Sequence, residues 1–335
     1  DGIVDLRTTR PLDATPHIVV NANYEMNDLE SANPDFDDTG YRLALSFSDV
    51  FADGKVGVAF AAATTESPSQ EQQFRGWGYP GANPTNVAPG VSLSGDEVVL
   101  GGHDSFVRSA ELERDTLSAV VQWAPSDDLT VTLDGVYIDF QEDKVFRGLE
   151  EALAEWGGGD YTATGVDSGL ITSADLDGGF ATVIRNDAES KKAELTTIGL
   201  NVEWNLNDNW SLEFDGAMSD VKKTITNIES YSGVGRAGLA TQGPASARSW
   251  MMTPTGVMYS PHPTIPMVNL TDFDLIRLAG PQAWGGAMAP IQQFADVTLP
   301  DGSVIGPPQS QDGFVNEPVF NEDLTTLRLD FDRAL

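Results

Sequence analysis

Apolar residues alternate strictly with polar or small ones at several places along this chain, the period of a strand whose two faces meet different surroundings. Ile18, Val20, Ala22, Tyr24 and Met26 form the first such run. Tyr41, Leu43, Leu45 and Phe47 form the second, and after a short turn Val56, Val58, Phe60 and Ala62 form the third. The pattern returns with Leu117, Ala119, Val121 and Trp123, reverses over residues 124–128, and continues through Leu129, Val131, Leu133, Gly135 and Tyr137. A further hairpin carries Ile198, Leu200, Val202 and Trp204 into a turn and Trp210, Leu212, Phe214 and Met218 out of it. Leu327, Leu329 and Phe331 mark a last strand. Residues 123–135 align without gaps on 204–216, so two of the hairpins repeat one another.

The connections fall into two alternating classes. After Ser48, Trp123 and Trp204 the chain reverses within a few residues rich in Asp, Asn, Pro and Gly, which is tight-turn chemistry. After Met26, Thr64, Asp139 and Ser219 the connections are long, the longest reaching from Val221 to Phe320. Short turns at one end and long loops at the other are the habit of bacterial outer-membrane barrels. Phe47, Trp123, Trp204 and Trp210 sit on the apolar face beside the short turns, where such a barrel carries a girdle of aromatic rings. A β-sandwich that buries those rings in its core fits the same alternation. The expected fold is therefore all-β: about eight strands of an antiparallel transmembrane β-barrel with long extracellular loops. A spanning sheet must close, and about eight strands could do so as a small barrel, but Leu335 falls at a strand end with no following turn and no terminal aromatic, so further strands are expected beyond it.

Charge and composition narrow the partners. Asp and Glu number 51 against 19 Lys and Arg, a formal charge of -32 that excludes a phosphate-backbone partner and so nucleic acid. There is no cysteine, which removes disulfides, thiolate metal sites and cysteine nucleophiles. No apolar run approaches the ~20 residues of a membrane helix, so any span must be made by strands.

Several short motifs resemble the proteobacterial TonB-dependent receptors. Gly2-Ile-Val-Asp-Leu-Arg-Thr8 with Arg10-Pro-Leu12 resembles the end of their plug domain. Residues 37–42, 51–54, 67–70, 147–150, 183–187, 229–231, 276–281 and 284–286 resemble successive barrel signatures. The resemblance implies a plugged barrel of about 22 strands, with residues 1–15 closing the plug and 16–335 opening the barrel. It implies a place in the bacterial outer membrane among lipid and lipopolysaccharide, and a TonB complex acting through the rest of the plug. The function it implies is active import of a nutrient of the siderophore, cobalamin or oligosaccharide class. A passive porin-like channel and a secreted acidic carbohydrate-binding β-sandwich are the alternatives.

Catalytic chemistry is not legible. His17, His103 and His262 are far apart and lack metal-spaced partners, and no serine has a nucleophile-elbow context. We expect no enzyme, no cofactor and no metal. The acidic pairs around Asp35, Asp37 and Asp38, and Asp175 and Asp177, lack the closing Glu of an EF-hand and read as solvated turns. The candidate ligand contacts are aromatics of the long connections, Trp77, Tyr79, Trp156, Tyr161, Tyr231, Trp250, Tyr259 and Trp284, whose rings suit sugar faces or a planar chelate. Each also suits a role anchoring one loop to another. Arg75, Arg108, Arg185, Arg236, Arg248 and Arg277 offer positive charge there, with pairing to neighbouring carboxylates the expected use.

Overall fold

The computed structural model describes residues 8–155, 160–177, 182–234, 247–274, 276–278 and 313–333, with four two-residue strands between 292 and 310. The strands are β1 (His17–Met26), β2 (Thr39–Phe51), β3 (Val56–Trp77), β4 (Gly102–Ser126), β5 (Leu129–Ala152), β6 (Tyr161–Asp167), β7 (Leu170–Leu176), β8 (Thr182–Asn207) and β9 (Trp210–Val234). They continue with β10 (Arg248–Thr253), β11 (Gly256–Pro261), β12 (Ile276–Leu278), β13 (Gln292–Gln293), β14 (Val297–Thr298), β15 (Val304–Ile305), β16 (Gln309–Ser310), β17 (Gly313–Asn316) and β18 (Val319–Arg333).

A large antiparallel sheet runs β1-β2-β3-β4-β5-β8-β9, with β12, β17 and β18 all pairing on the far side of β9. A second antiparallel sheet has the order β11-β10-β7-β6. Neither sheet closes on itself: among the described residues β1 pairs only with β2, and β18 only with β9. This corrects the expectation of a transmembrane barrel. Alternation reports that a strand has two unlike faces, and short turns report which ends are joined tightly; neither reports whether the first strand meets the last. No helix among the described residues is long and apolar enough to cross a membrane.

Ladder partners stand side by side on one face, so the register assigns the faces. Ile18, Phe47, Phe60, Ala119, Gly135, Ile198, Met218 and Thr325 form one continuous row across eight strands. Around this row the face is apolar and open, with Leu45, Leu117, Val121, Leu133, Leu200, Leu327 and Leu329 exposed. The short turn after β2 places Ala52, Asp53 and Gly54 at positive φ, and Gly54 there has free space around it. The opposite face is polar, and residues 8–16 cross it. Leu12 N–H donates to Gln122 Oε1 at 2.9 Å, and Arg10 meets Glu203 at 2.6 Å.

The strands run far past the alternating runs. β3 reaches Trp77, β4 starts at Gly102 and β5 reaches Ala152, so much of what reads as long loop is ladder. Beyond the apolar band both faces carry polar groups, the alternation disappears, and backbone pairing continues without it. At this far end the second sheet folds over the face that carries the band lower down. Its core is Val99, Leu100, Leu153, Ala163, Ile171, Ala174, Leu176 and Trp250, built from the connection after β3, the end of β5 and strands β6, β7 and β10.

Candidate ligand-binding face

The far end of the polar face gathers charged and aromatic side chains from five strands. Arg75, Asp104 and Glu150 are ladder neighbours across β3, β4 and β5. The next row places Phe106, Gly148, Arg185 and Tyr231 in line across β4, β5, β8 and β9, and the one after it Arg108, Phe146 and Asp187. Hydrogen bonds knit these rows together. Arg75 Nε donates to Asp104 Oδ2 at 2.7 Å and Trp77 Nε1 to Asp104 Oδ1 at 3.1 Å. Arg185 donates to Glu150 at 2.9 Å, Asp187 at 2.6 Å and Glu229 at 2.7 Å, while the Tyr231 hydroxyl donates to Glu229 at 2.6 Å. Arg185 also lies 4.8 Å from the Tyr231 ring centre, and Arg108 4.3 Å from that of Phe146.

Burial and the neighbouring charges pull on the titrating groups of this array in opposite directions. Burial pushes the Glu150 and Asp187 carboxyls up, against the downward pull of Arg185. For Arg185 burial works to lower the pKa, but the bond to Asp187 and the charges around it outweigh burial and raise it. The phenol of Tyr231 is pushed up by burial and by Glu229. Asp104, Glu150, Asp187, Glu229 and Glu71, the partner of Arg108, together outnumber Arg75, Arg108 and Arg185, so the face keeps a negative balance.

Two rings lie over glycines of the neighbouring strand. A Cβ on Gly102 would stand 2.1 Å from the Trp77 ring, and one on Gly148 2.7 Å from that of Phe106. Only glycine leaves room for a ring laid against the sheet in this way. Both rings are half-buried, so part of each remains open to a guest.

The apolar-face side of the same strand ends holds a different cluster. His103, Glu151 and Thr182 are ladder neighbours on β4, β5 and β8, and the second sheet brings Arg248 and Tyr259 down on them. Arg248 donates to Glu151 at 3.2 Å and to Thr182 Oγ1 at 2.7 Å, and its guanidinium lies 4.7 Å from the Tyr259 ring centre. His103 Nε2 is 2.7 Å from the Tyr259 hydroxyl and its Nδ1 is 3.1 Å from Ser105 Oγ. The Ser105–His103 contact has the outline of a nucleophile and its base. However, burial holds the His103 imidazole down at about 4, and its second nitrogen faces a phenol instead of a carboxylate. The cluster ties the sheets together.

The expected contact residues divide between these places. Trp77 and Tyr231 are on the polar array, Trp77 half-buried and Tyr231 buried, and Tyr79, about half exposed, lies two residues after Trp77, beyond Gly78. Trp250, Tyr259 and Tyr161 belong to the second sheet: Trp250 is core, Tyr259 is in the junction, and the Tyr161 hydroxyl accepts from Asn83 N–H at 2.9 Å. Trp156 and Trp284 lie outside the described residues. Arg75, Arg108, Arg185 and Arg248 are each paired with a carboxylate, whereas Arg236 and the side chain of Arg277 lie outside the described residues. Asp35 pairs with Arg147, Asp175 accepts from Ser249 and Asp177 faces His262, and no group of metal-ligand residues is found among those described. Sequence reasoning missed Asp104, Phe106, Phe146, Glu150, Asp187 and Glu229. Glu150, Asp187 and Glu229 lie in segments 147–150, 183–187 and 229–231, which read only as family-like motifs, while Asp104, Phe106 and Phe146 are single residues in segments without alternation; pairing across strands is what assembles them.

No family model, no curated protein and no solved structure matches this chain. The resemblance to TonB-dependent receptors is thereby corrected, since short motifs in order did not amount to a match along the chain. With it go the expected outer-membrane location, the TonB complex and outer-membrane lipid as partners, and TonB-dependent import as the function: among the described residues the open sheet offers neither a closed wall nor a lumen for a plug.

Proposed function

We propose that this chain is a non-catalytic binding module whose polar face takes an uncharged carbohydrate between the ends of β3 and β9. The observation that carries the reading is the interleaving of Trp77, Phe106 and Tyr231 with hydrogen-bonded Arg75, Asp104, Glu150, Arg185 and Glu229 on one face. A sugar presents an apolar ring face that stacks on aromatic rings and hydroxyls that both donate and accept. Fixed carboxylates and guanidiniums supply both kinds of partner without moving. The negative balance of the array disfavours uronic or sialic acids, whose carboxylates meet like charge.

The test is binding of a panel of neutral and acidic oligosaccharides to the full chain, followed by calorimetry on any hit. Neutral glycans are expected to bind, Trp77→Ala to weaken them by about tenfold or more, and acidic analogues to bind less tightly. Equal binding by Trp77→Ala and the parent chain, or no neutral glycan bound at all, rejects the reading.

A further inference from the structure

Among the described residues, the apolar band on the large sheet is a broad exposed surface with nothing packed on it. It crosses eight strands without interruption, from Ile18, 72% exposed, to Leu327, 74% exposed, and includes Leu117, Val121, Leu133, Ile198 and Leu200 at its centre. With strands about 4.8 Å apart and a band about six residues tall, the patch is on the order of 800 Å². Typical monomers expose apolar patches of roughly 300–600 Å² at most. Above the band the same face turns acidic, with Asp115, Asp139 and Glu194 as ladder neighbours.

We propose that this band is the interface of a homodimer, in which two copies pack their large sheets face to face about a twofold axis and so form a β-sandwich. Three features select a second copy as the occupant. The area is that of a standard interface, about 800 Å² on each partner. A twofold axis through the centre of the band sets apolar rows on apolar rows at the ~10 Å spacing of packed sheets. With the copies antiparallel, each acidic row falls at the margin of the interface and stays hydrated. Finally, the outer edges of β1 and β18 carry backbone groups without ladder partners among the described residues. Water satisfies those groups at the rim of a dimer, and hydrocarbon does not. The second sheet leaves the band accessible, because Leu117 and Ser105 are twelve residues apart on β4, or ~40 Å along an extended strand.

The experiment is sedimentation velocity on the full chain in detergent-free buffer, with site-directed cross-linking as an independent readout. A concentration-dependent dimer is expected. Leu133→Asp combined with Leu200→Asp should raise its dissociation constant by about 100-fold or more while the far-ultraviolet circular dichroism of the parent is kept. The chain has no cysteine, so Leu133→Cys near the axis should oxidise to a disulfide-linked pair, and Ser118→Cys on the opposite face should not. If the double variant misfolds, the two cysteine variants still decide. A folded monomer without detergent overturns the proposal. So does a parent chain dispersed only by detergent micelles or lipid vesicles, which makes an amphiphile the occupant, and so does equal cross-linking through Ser118→Cys.

Discussion

Glu151 on β5 and Arg248 on β10 meet at 3.2 Å where the two sheets join, and neither side chain has appreciable contact with solvent. The pair is the centre of the polar tie between the sheets, with Thr182 bonded to both partners. Removing one member of such a pair leaves a buried charge uncompensated, which costs about 3–5 kcal/mol. Arg248→Met is therefore expected to loosen the second sheet from the first, read as early loss of amide protection at β10 and β11 in hydrogen exchange. Protection equal to that of the parent chain would show that the apolar core alone holds the sheets.

The same junction predicts a pH optimum. Burial raises the Glu151 carboxyl from near 4.5 to about 7, so its stabilising contribution is complete below about 4.5 and is lost as pH rises through about 7. Burial lowers His103 from near 6.5 to about 4, so its contribution is complete above about 6.5 and is lost as pH falls through about 4. Thermal midpoints across pH 4 to 8 should flatten on the alkaline side in Glu151→Gln and on the acid side in His103→Gln. Parallel curves for the parent and both variants would exclude the two groups as the source.

Arg185 neutralises Glu150, Asp187 and Glu229 at once. Its side chain is mostly buried, so Arg185→Leu is expected to cost about 2 kcal/mol or more and to raise the Glu150 and Asp187 carboxyls further, since the downward pull of Arg185 is lost. Chemical denaturation at neutral and mildly acid pH measures both effects. The loss should shrink as the carboxyls protonate, and a loss independent of pH would point to packing instead.

Gly57 sits under the segment that crosses the polar face, where a Cβ would stand 2.8 Å from Leu12 N and 3.0 Å from the Leu12 side chain. Gly57→Val should lift residues 8–15 off the sheet and break the bond from Leu12 to Gln122. Limited trypsin digestion at Arg10 is the readout, with faster cleavage than in the parent expected and an unchanged rate counting against the contact.

Trp250 is fully enclosed in the core of the second sheet, and its indole Nε1 has no hydrogen-bond partner among the described residues. Trp250→Ala should cost about 3–5 kcal/mol through the cavity it leaves. Trp250→Phe should cost less, since no hydrogen bond is lost with the nitrogen. Denaturant midpoints for the two variants give the comparison, and a Phe variant as unstable as the Ala variant would show that the nitrogen is bonded after all.

Periodicity in the chain was sufficient for the lower half of the large sheet. Ile18, Phe47, Phe60, Ala119 and Ile198 were legible as members of apolar faces because a two-residue period appears wherever one face meets apolar surroundings and the other does not. The turns were legible for a related reason, since residues 124–128 and 205–209 carry Asp, Asn and Pro at positions where the backbone must reverse. The upper halves of β3, β4, β5, β8 and β9 were not legible. There Arg75, Asp104, Glu150 and Arg185 are polar residues on faces that carry polar groups on both sides, and a ladder of backbone hydrogen bonds leaves no period in the side chains.

Residue order thus determined the strands of the lower half of the large sheet, which of their side chains share a face and where the chain turns back in short turns. Tertiary structure alone decided that the sheet stays open, that a second sheet folds over one end of it, and that Arg185 gathers Glu150, Asp187 and Glu229 from three strands. The physical reason is one of range. Alternation and turn chemistry act over two to five neighbouring residues, whereas closure of a sheet and assembly of a charged array depend on contacts between residues tens to more than a hundred positions apart.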